Sequence, residues 1–333
     1  MSNSIRFVLV GCGRIAAKHA AQIQHQGVLV AVCDTDAEKA MLFAHQQQVP
    51  WFTNFNALLE AKPLADVIVI CTPNGLHASQ SIAAMQAGYH VLVEKPMALN
   101  SADAQAMLHT AKSTGKQLFT VLQNRFNQPV QELKTLLQAG SLGKIYSVQL
   151  NGFWHRDSAY YADGWHGTHE LDGGILFTQF SHFIDLLLWL FGPVAQCHSY
   201  RQNMAHPGIA IEDELSLLYR FENGILGTAH FSTNAYQQNI EGSITLLSQK
   251  ASIKIGGTYL NQLSYQYAGD TFITEPAPIP ANQYGSYEGS ASHHGAVYTS
   301  LIQTLQHQRP YYTSPEESLA VVRLIEHIYS IAT

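Results

Sequence analysis

The rhythm of apolar and polar positions changes about a third of the way along the chain. Up to residue 122, short apolar runs alternate with stretches of helical period. Residues 5–10, 28–33, 66–71, 90–93 and 117–122 read as strands, the run Asp66-Val67-Ile68-Val69-Ile70-Cys71 as a buried one. Between them, residues 14–26, 38–47, 56–61, 76–87 and 101–113 read as helices. Gly88 and Gly115 stand where C-terminal caps are expected, and Ser101 where an N-cap is expected. Strand and helix in strict alternation predict a mainly parallel sheet with helices on both faces.

From residue 123 the period shortens to two. Residues 145–154, 195–200, 214–221, 227–233, 241–247 and 251–255 read as strands, with Glu222-Asn223-Gly224 as a hairpin turn. Helices are expected at 127–139, 179–191, 293–307 and 315–331, and a Pro-, Gly- and Tyr-rich loop at 275–290. The predicted fold class is an α/β Rossmann domain over 1–122, then an α+β domain over 123–333 with a mainly antiparallel sheet.

Composition narrows the function classes. The 333 residues are 46% hydrophobic and 13% charged, with a formal net charge of −6. A chain without a basic stripe is not built for nucleic acid. The N-terminal apolar run ends at a glycine turn, too short for secretion or for spanning a bilayer, so a soluble cytoplasmic protein without membrane partners is expected. The four cysteines have no metal-ligand spacing and read as structural thiols. His293-His294 is too short to argue for a metal, so none is expected.

Gly11-Cys12-Gly13-Arg14-Ile15-Ala16 is a G-x-G-x-x-A sequence between a strand and a helix. Gly11 permits the tight turn, Gly13 lets the backbone approach a pyrophosphate, and Ala16 keeps helix and strand close. The phosphates would rest on the N–H groups that open the helix, which places Cys12, Arg14 and Ile15 at the cofactor. Asp34 ends the second strand, 21 residues after Gly13. A carboxylate there accepts from ribose hydroxyls and repels a 2′-phosphate, so NAD is expected rather than NADP.

Two further segments carry a resemblance. Val67-Ile68-Val69-Ile70-Cys71-Thr72-Pro73-Asn74-Gly75-Leu76-His77 leads to Val91-Leu92-Val93-Glu94-Lys95-Pro96, and Gly173-Gly174-Ile175-Leu176 leads to His182-Phe183-Ile184-Asp185. With the glycine motif, these resemble the Gfo/Idh/MocA oxidoreductases over nearly the whole chain. The resemblance implies a second domain with an open-faced sheet that serves substrate binding and self-association, as a homodimer or homotetramer. It implies that Cys71, Thr72, Pro73, Asn74, His77, Glu94, Lys95 and Gln123 join the cofactor site. It also implies a cis bond before Pro96. Val121-Leu122-Gln123-Asn124-Arg125-Phe126-Asn127, Tyr160-Tyr161 and Trp165-His166-Gly167-Thr168 are similar to dehydrogenases that oxidise the C3 hydroxyl of UDP-N-acetylglucosaminuronic acid.

Oxidising a secondary alcohol needs a cation beside the oxygen and a base for its proton. Lys95 follows a strand, where ligands bind in open α/β sheets, and the resemblance puts it at the nicotinamide. His182 matches the family's acid/base histidine. Thr178, His182 and Asp185 are spaced to share one helix face. Thr178 stands where many members carry Asp or Asn, and a threonine is no base near neutrality. Asp185 suits either a substrate hydroxyl or a cation. Arg125, Arg156 and His166 are candidates for anionic substrate groups, and Trp165 for a sugar or base. A small-molecule sugar derivative is the expected substrate, with a free sugar or polyol as the alternative. A non-catalytic NAD-binding regulator stays open because of Thr178.

Overall fold

In the computed structural model, the described residues are 4–269, 273–274, 281–283 and 288–332. Through the first third the elements run β1 (Arg6–Val10), α1 (Ala16–Gln26), β2 (Val28–Cys33), α2 (Ala37–Gln47), β3 (Trp51–Phe52), α3 (Phe55–Ala61), β4 (Val67–Ile70), α4 (His77–Gln86), β5 (His90–Val93), α5 (Ser101–Thr114) and β6 (Leu118–Thr120). There follow α6 (Gln128–Gln138), β7 (Ile145–Phe153), α7 (Ile175–Thr178), α8 (Ser181–Phe191), β8 (Val194–Gln202), β9 (Glu214–Phe221) and β10 (Leu226–Ser232). The chain closes with β11 (Glu241–Ser248), β12 (Ala251–Gly256), β13 (Gln262–Ala268), β14 (Ala281–Gln283), β15 (Glu288–Ala291), α9 (His294–His307) and α10 (Pro315–Ile331).

The chain divides into two compact units. One holds Met1–Leu122 and His294–Val322, the other Gln123–His293 and Arg323–Thr333. The single cut expected at 122/123 is thus replaced by a discontinuous division. The reason is α9: its Tyr298 packs edge-on against Phe7, and Gln26 at the end of α1 donates to the Gly295 carbonyl at 3.1 Å. No local pattern announces a helix that returns to a sheet so far back in sequence.

The first unit is a six-stranded parallel sheet in the order β3-β2-β1-β4-β5-β6. Every residue of β4 is buried, as is all of β1 after Arg6, which is why these strands read as unbroken apolar runs. The helices begin on polar caps. Asp36 accepts from Glu38 and Lys39, Asn54 from Ala57, and Asn100 from Asp103 at 2.8 Å. The cap of α5 is therefore Asn100, one residue before the expected Ser101, because its side chain reaches the third N–H of the turn.

The second unit holds a seven-stranded sheet, β13-β12-β11-β7-β10-β9-β8, antiparallel except for the β7–β10 pair. In β9 the apolar side chains Leu215, Leu217, Tyr219 and Phe221 point inward, while Ser216, Leu218 and Arg220 alternate outward. The helical face of the sheet is sealed by aromatics: Phe180 stacks on Phe231 at 4.8 Å and Phe183 meets the same ring edge-on. The opposite face leaves Tyr200, Leu218 and Leu226 exposed. Sequence pattern missed β13, whose residues are half-buried or exposed on both faces, and the two-residue β3. Most of the expected 275–290 loop lies outside the described residues.

Candidate active site

The nucleotide end of the first unit is built from backbone. Gly11 donates to the Cys33 carbonyl at 2.7 Å and holds φ at +91°, and a Cβ there would stand 2.5 Å from the Cys71 carbonyl oxygen. Only glycine permits this crossing of β1 and β4. Gly13, by contrast, has nothing within 4 Å of where its Cβ would be. That open space lies just before α1, where a helix N-terminus favours an anion. Arg14 is exposed and Ile15 half-buried beside it. Asp34 accepts from the Cys12 N–H at 2.7 Å and the Asp36 N–H at 2.9 Å, which fixes its carboxylate at the tip of β2. Glycines, helix start and fixed carboxylate suit the pyrophosphate and ribose of a dinucleotide.

Cys12, Cys33, Cys71 and Cys197 are all buried and free. Burial, reinforced by Asp34, pushes Cys12 up to about 12 and Cys33 to about 11, so both stay thiols. Cys71 contributes its carbonyl under Gly11, not a reactive sulfur.

The turn after β4 leads into α4. Thr72 donates to Gln80 at 2.6 Å, Pro73 is half-buried and Asn74 is buried. The ring nitrogens of His77 lie 2.7 Å from the Pro96 carbonyl and 2.8 Å from that of Thr72. His77 thereby ties this turn to the Lys95–Pro96 bond, which is cis as the resemblance implied. Lys95 is half-buried just beyond β5.

Glu94 departs from expectation. Its carboxylate turns inward: Oε1 lies 2.9 Å from His19 Nε2 and 3.6 Å from His294 Nε2, and Oε2 accepts from the Lys95 N–H at 3.1 Å. Tyr298 completes the group, 2.9 Å from His19 Nδ1. This cluster as a whole carries no local sequence signal, because its members come from α1, the residue after β5 and α9. The one available signal was a histidine on the buried face of α1.

In the second unit several expected ligands bind one another. Arg125 grips Asp185 through Nε, at 3.2 and 3.0 Å, and through Nη2 at 2.6 Å, both side chains being buried. Arg125, expected at an anionic substrate group, and Asp185, expected at a hydroxyl or a cation, thus pair with each other, since a buried charge needs a partner. Arg156 donates to the His155 carbonyl and to Asn239, with Trp154 and Tyr160 rings beside it. His166 lies 2.6 Å from Asp163 and stacks on Trp165. Gln123 opens this unit as a buried side chain rather than a surface one.

Thr178, His182 and Asp185 do not share a helix. Thr178 ends α7, and Phe180, at φ −110° and ψ 9°, breaks the helical path before α8 starts at Ser181. His182 sits buried in the first turn of α8 with Asp185 one turn on. The Thr178 hydroxyl instead donates to Asp172 at 2.5 Å. Asp172, two residues before the glycine that caps α7, organises the segment. It accepts from Gly167 N–H at 2.8 Å and Gly174 N–H at 3.3 Å, and burial pushes its carboxyl up to about 7 against those bonds. Glu212, also raised by burial, accepts from Ile175 and Tyr329 at the start of α7.

Residues 5–122 match the oxidoreductase family with an NAD-binding Rossmann fold, and residues 130–254 match the GFO/IDH/MocA C-terminal domain. A solved WlbA dehydrogenase from Chromobacterium violaceum, in complex with NADH and UDP-GlcNAcA, is 33% identical with a TM-score of 0.89, over 99% of this chain and 94% of that one. The WlbA dehydrogenase from Bordetella pertussis, in complex with the same two ligands, is 34% identical with a TM-score of 0.87, over 99% and 96%. D-glucoside 3-dehydrogenase of Escherichia coli is 29% identical over 241 residues, which is 69% of this chain and 68% of that one. Both domain matches and the fingerprint of Gly11, Gly13 and Asp34 agree: this chain belongs to the Gfo/Idh/MocA family and is an NAD-binding oxidoreductase.

Proposed function

We propose that the protein is an NAD-dependent dehydrogenase of a nucleotide sugar, oxidising a secondary alcohol of a UDP-N-acetyl-hexuronic acid at C3. One observation carries this reading: likeness at 33% and 34% identity, along 99% of the chain, to two enzymes crystallised with NADH and UDP-GlcNAcA. Gly11, Cys12, Gly13, Arg14 and Ile15 would hold the pyrophosphate, and Asp34 the adenosine ribose. Bound NAD supplies the hydride acceptor. The Lys95 ammonium stabilises the charge that develops on the alcohol oxygen, and His182 takes the hydroxyl proton. Thr178, its hydroxyl proton committed to Asp172, positions substrate and takes no part in proton transfer. The exposed apolar side chains Tyr200, Leu218 and Leu226 on one sheet face support self-association.

The test is reduction of NAD by UDP-GlcNAcA, followed by nicotinamide absorbance, beside NADP and a panel of free sugars and polyols. Turnover with NAD and the nucleotide sugar alone is the expected result. Lys95→Ala and His182→Ala variants that still bind NADH should lose activity. A second reading, a free sugar or polyol as substrate, is favoured by a specific feature. Arg125 is bound to Asp185, and His166 to Asp163, so two of the three cationic side chains expected for a diphosphate are engaged within the protein. Turnover of a free sugar but not of UDP-GlcNAcA would replace the first reading. NADH binding without any turnover would favour a regulator.

A further inference from the structure

Glu94 is the strangest charge in the first unit. It is buried, it immediately precedes Lys95, and nothing in hydride transfer calls for it. Around it stand His19 on α1, His294 and Tyr298 on α9, Cys71 beyond β4, Tyr311 and His77. Among these described residues, Glu94 is the acid at the centre of neutral and basic groups.

One protonation pattern satisfies this geometry. Burial lowers His19 below its ordinary value, which favours the neutral ring. A neutral His19 donates Nε2–H to Glu94 and accepts at Nδ1 from the Tyr298 hydroxyl. Burial alone would raise the carboxyl of Glu94. The hydrogen bond from His19 and the nearby His294 hold it well below the usual carboxylate range instead. His294 Nε2 lies 3.6 Å from the same Glu94 oxygen, too far for a direct hydrogen bond, and leaves its ring beside the carboxylate. Glu94 therefore remains an anion in the interior. Its other oxygen accepts from the Lys95 N–H at 3.1 Å. On the far side of Lys95, His77 lies within hydrogen-bond reach of the Pro96 carbonyl. The backbone on both sides of Lys95 is thus fixed by buried polar groups.

We propose that Tyr298, His19, Glu94 and His294 form a positioning network for Lys95, in which an anchored buried carboxylate fixes the lysine's backbone and keeps its side chain cationic. This rests on the role given to Lys95 above. Tyr298 orients His19, His19 and His294 hold Glu94, and Glu94 acts on its neighbour through one hydrogen bond and one fixed charge. None of the four touches the reacting atoms in this scheme.

The experiment uses the full-length protein and the variants Glu94→Gln and His294→Gln. The first keeps a hydrogen-bonding side chain and removes the charge. The second leaves the His19–Glu94 bond in place, and so remains informative if the first does not fold. Three quantities are measured: NADH affinity, the pH profile of kcat, and the pH dependence of Lys95 acylation by an amine-selective reagent, read by peptide mass spectrometry. For Glu94→Gln the expected result is NADH affinity within about twofold and kcat about tenfold lower. The high-pH limb should move to lower pH by about one unit, because an anion beside an ammonium favours the charged form. His294→Gln should shift the same limb in the same direction by less. The acylation profile should move in parallel, and it needs no substrate. If wild type turns over nothing while the acylation profile still shifts, the substrate reading fails and the network stands. Unchanged pH profiles in both variants, with lower thermal stability as the sole effect, would overturn the network. The ligand atoms of His19, Glu94 and His294 lie within 4.8 Å of one another. A transition metal retained by purified wild type and lost from Glu94→Gln would overturn it as well.

Discussion

Each unit buries a carboxylate close to its candidate chemistry, and the two are held in opposite states. Glu94, in the parallel-sheet unit, faces His19 and His294 and is held well below the ordinary carboxylate range despite its burial. Asp172, in the mixed-sheet unit, accepts from the Thr178 hydroxyl and the N–H groups of Gly167 and Gly174, and burial, with the Glu212 carboxylate nearby, pushes it up to about 7 against those bonds. Depth is similar in both. The partners differ: basic rings stabilise an anion, whereas a hydroxyl and two amides do not fully repay its lost hydration. Burial alone therefore says little about the charge of an acid.

Four experiments sharpen or break this contrast. The largest effect belongs to Asp172. Its pKa is raised from an ordinary value of 3.8 to about 7, so the folded protein binds more protons there than the unfolded chain. Its contribution is full below pH 4 and is lost as pH rises through 7, by on the order of 4 kcal/mol. In thermal melts against pH, wild type should thus lose stability relative to Asp172→Asn across that window. A constant gap between the two would remove the contrast.

His19→Ala comes next. It strips Glu94 of its direct donor and makes it resemble Asp172, at a cost of about 3 kcal/mol near neutrality, measured by urea titration. Stability equal to wild type would mean that His294 alone suffices. Thr178→Val is milder: losing a hydrogen bond to a partly charged acid should cost about 2 kcal/mol above pH 7, less at pH 5, with Thr178→Ser restoring most of it.

The smallest effect on stability is expected at the backbone-built end of the first unit. Gly13→Ala meets nothing within 4 Å, so its melting temperature should stay near wild type while NADH affinity falls about tenfold, or about 1.4 kcal/mol. Calorimetric titration separates the two. Equal affinity would show that the cofactor does not approach Gly13.

Much of the first unit was legible because its signals are local. The strand–glycine–helix passage at Val10–Ala16, the buried runs of β4 and β5, and Asp34 at the end of β2 lie within short windows, and the parallel sheet follows from their alternation. The strand periods of β9, β10 and β11 were legible for the same reason. Where signals are weak or depend on side-chain geometry, reading fell short. β13 carries no apolar alternation because neither of its faces is fully buried. The spacing of Thr178, His182 and Asp185 suggested one face, but Phe180 breaks the helix between the first and the second. That Arg125 and Asp185 pair was not legible, because a charged residue in sequence carries no mark of which partner it finds.

The amino-acid sequence by itself determined the fold class and the dinucleotide fingerprint, since each depends on periods and spacings within a few tens of residues. Tertiary structure alone decided the rest: that α9 returns to the first sheet, that His19 and His294 meet over Glu94, that Arg125 closes on Asp185, and that Asp172 rather than Thr178 holds the acid in its segment. The physical reason is common to all four. A buried polar group must find its partner through space, and chain separation places no limit on which residue that is.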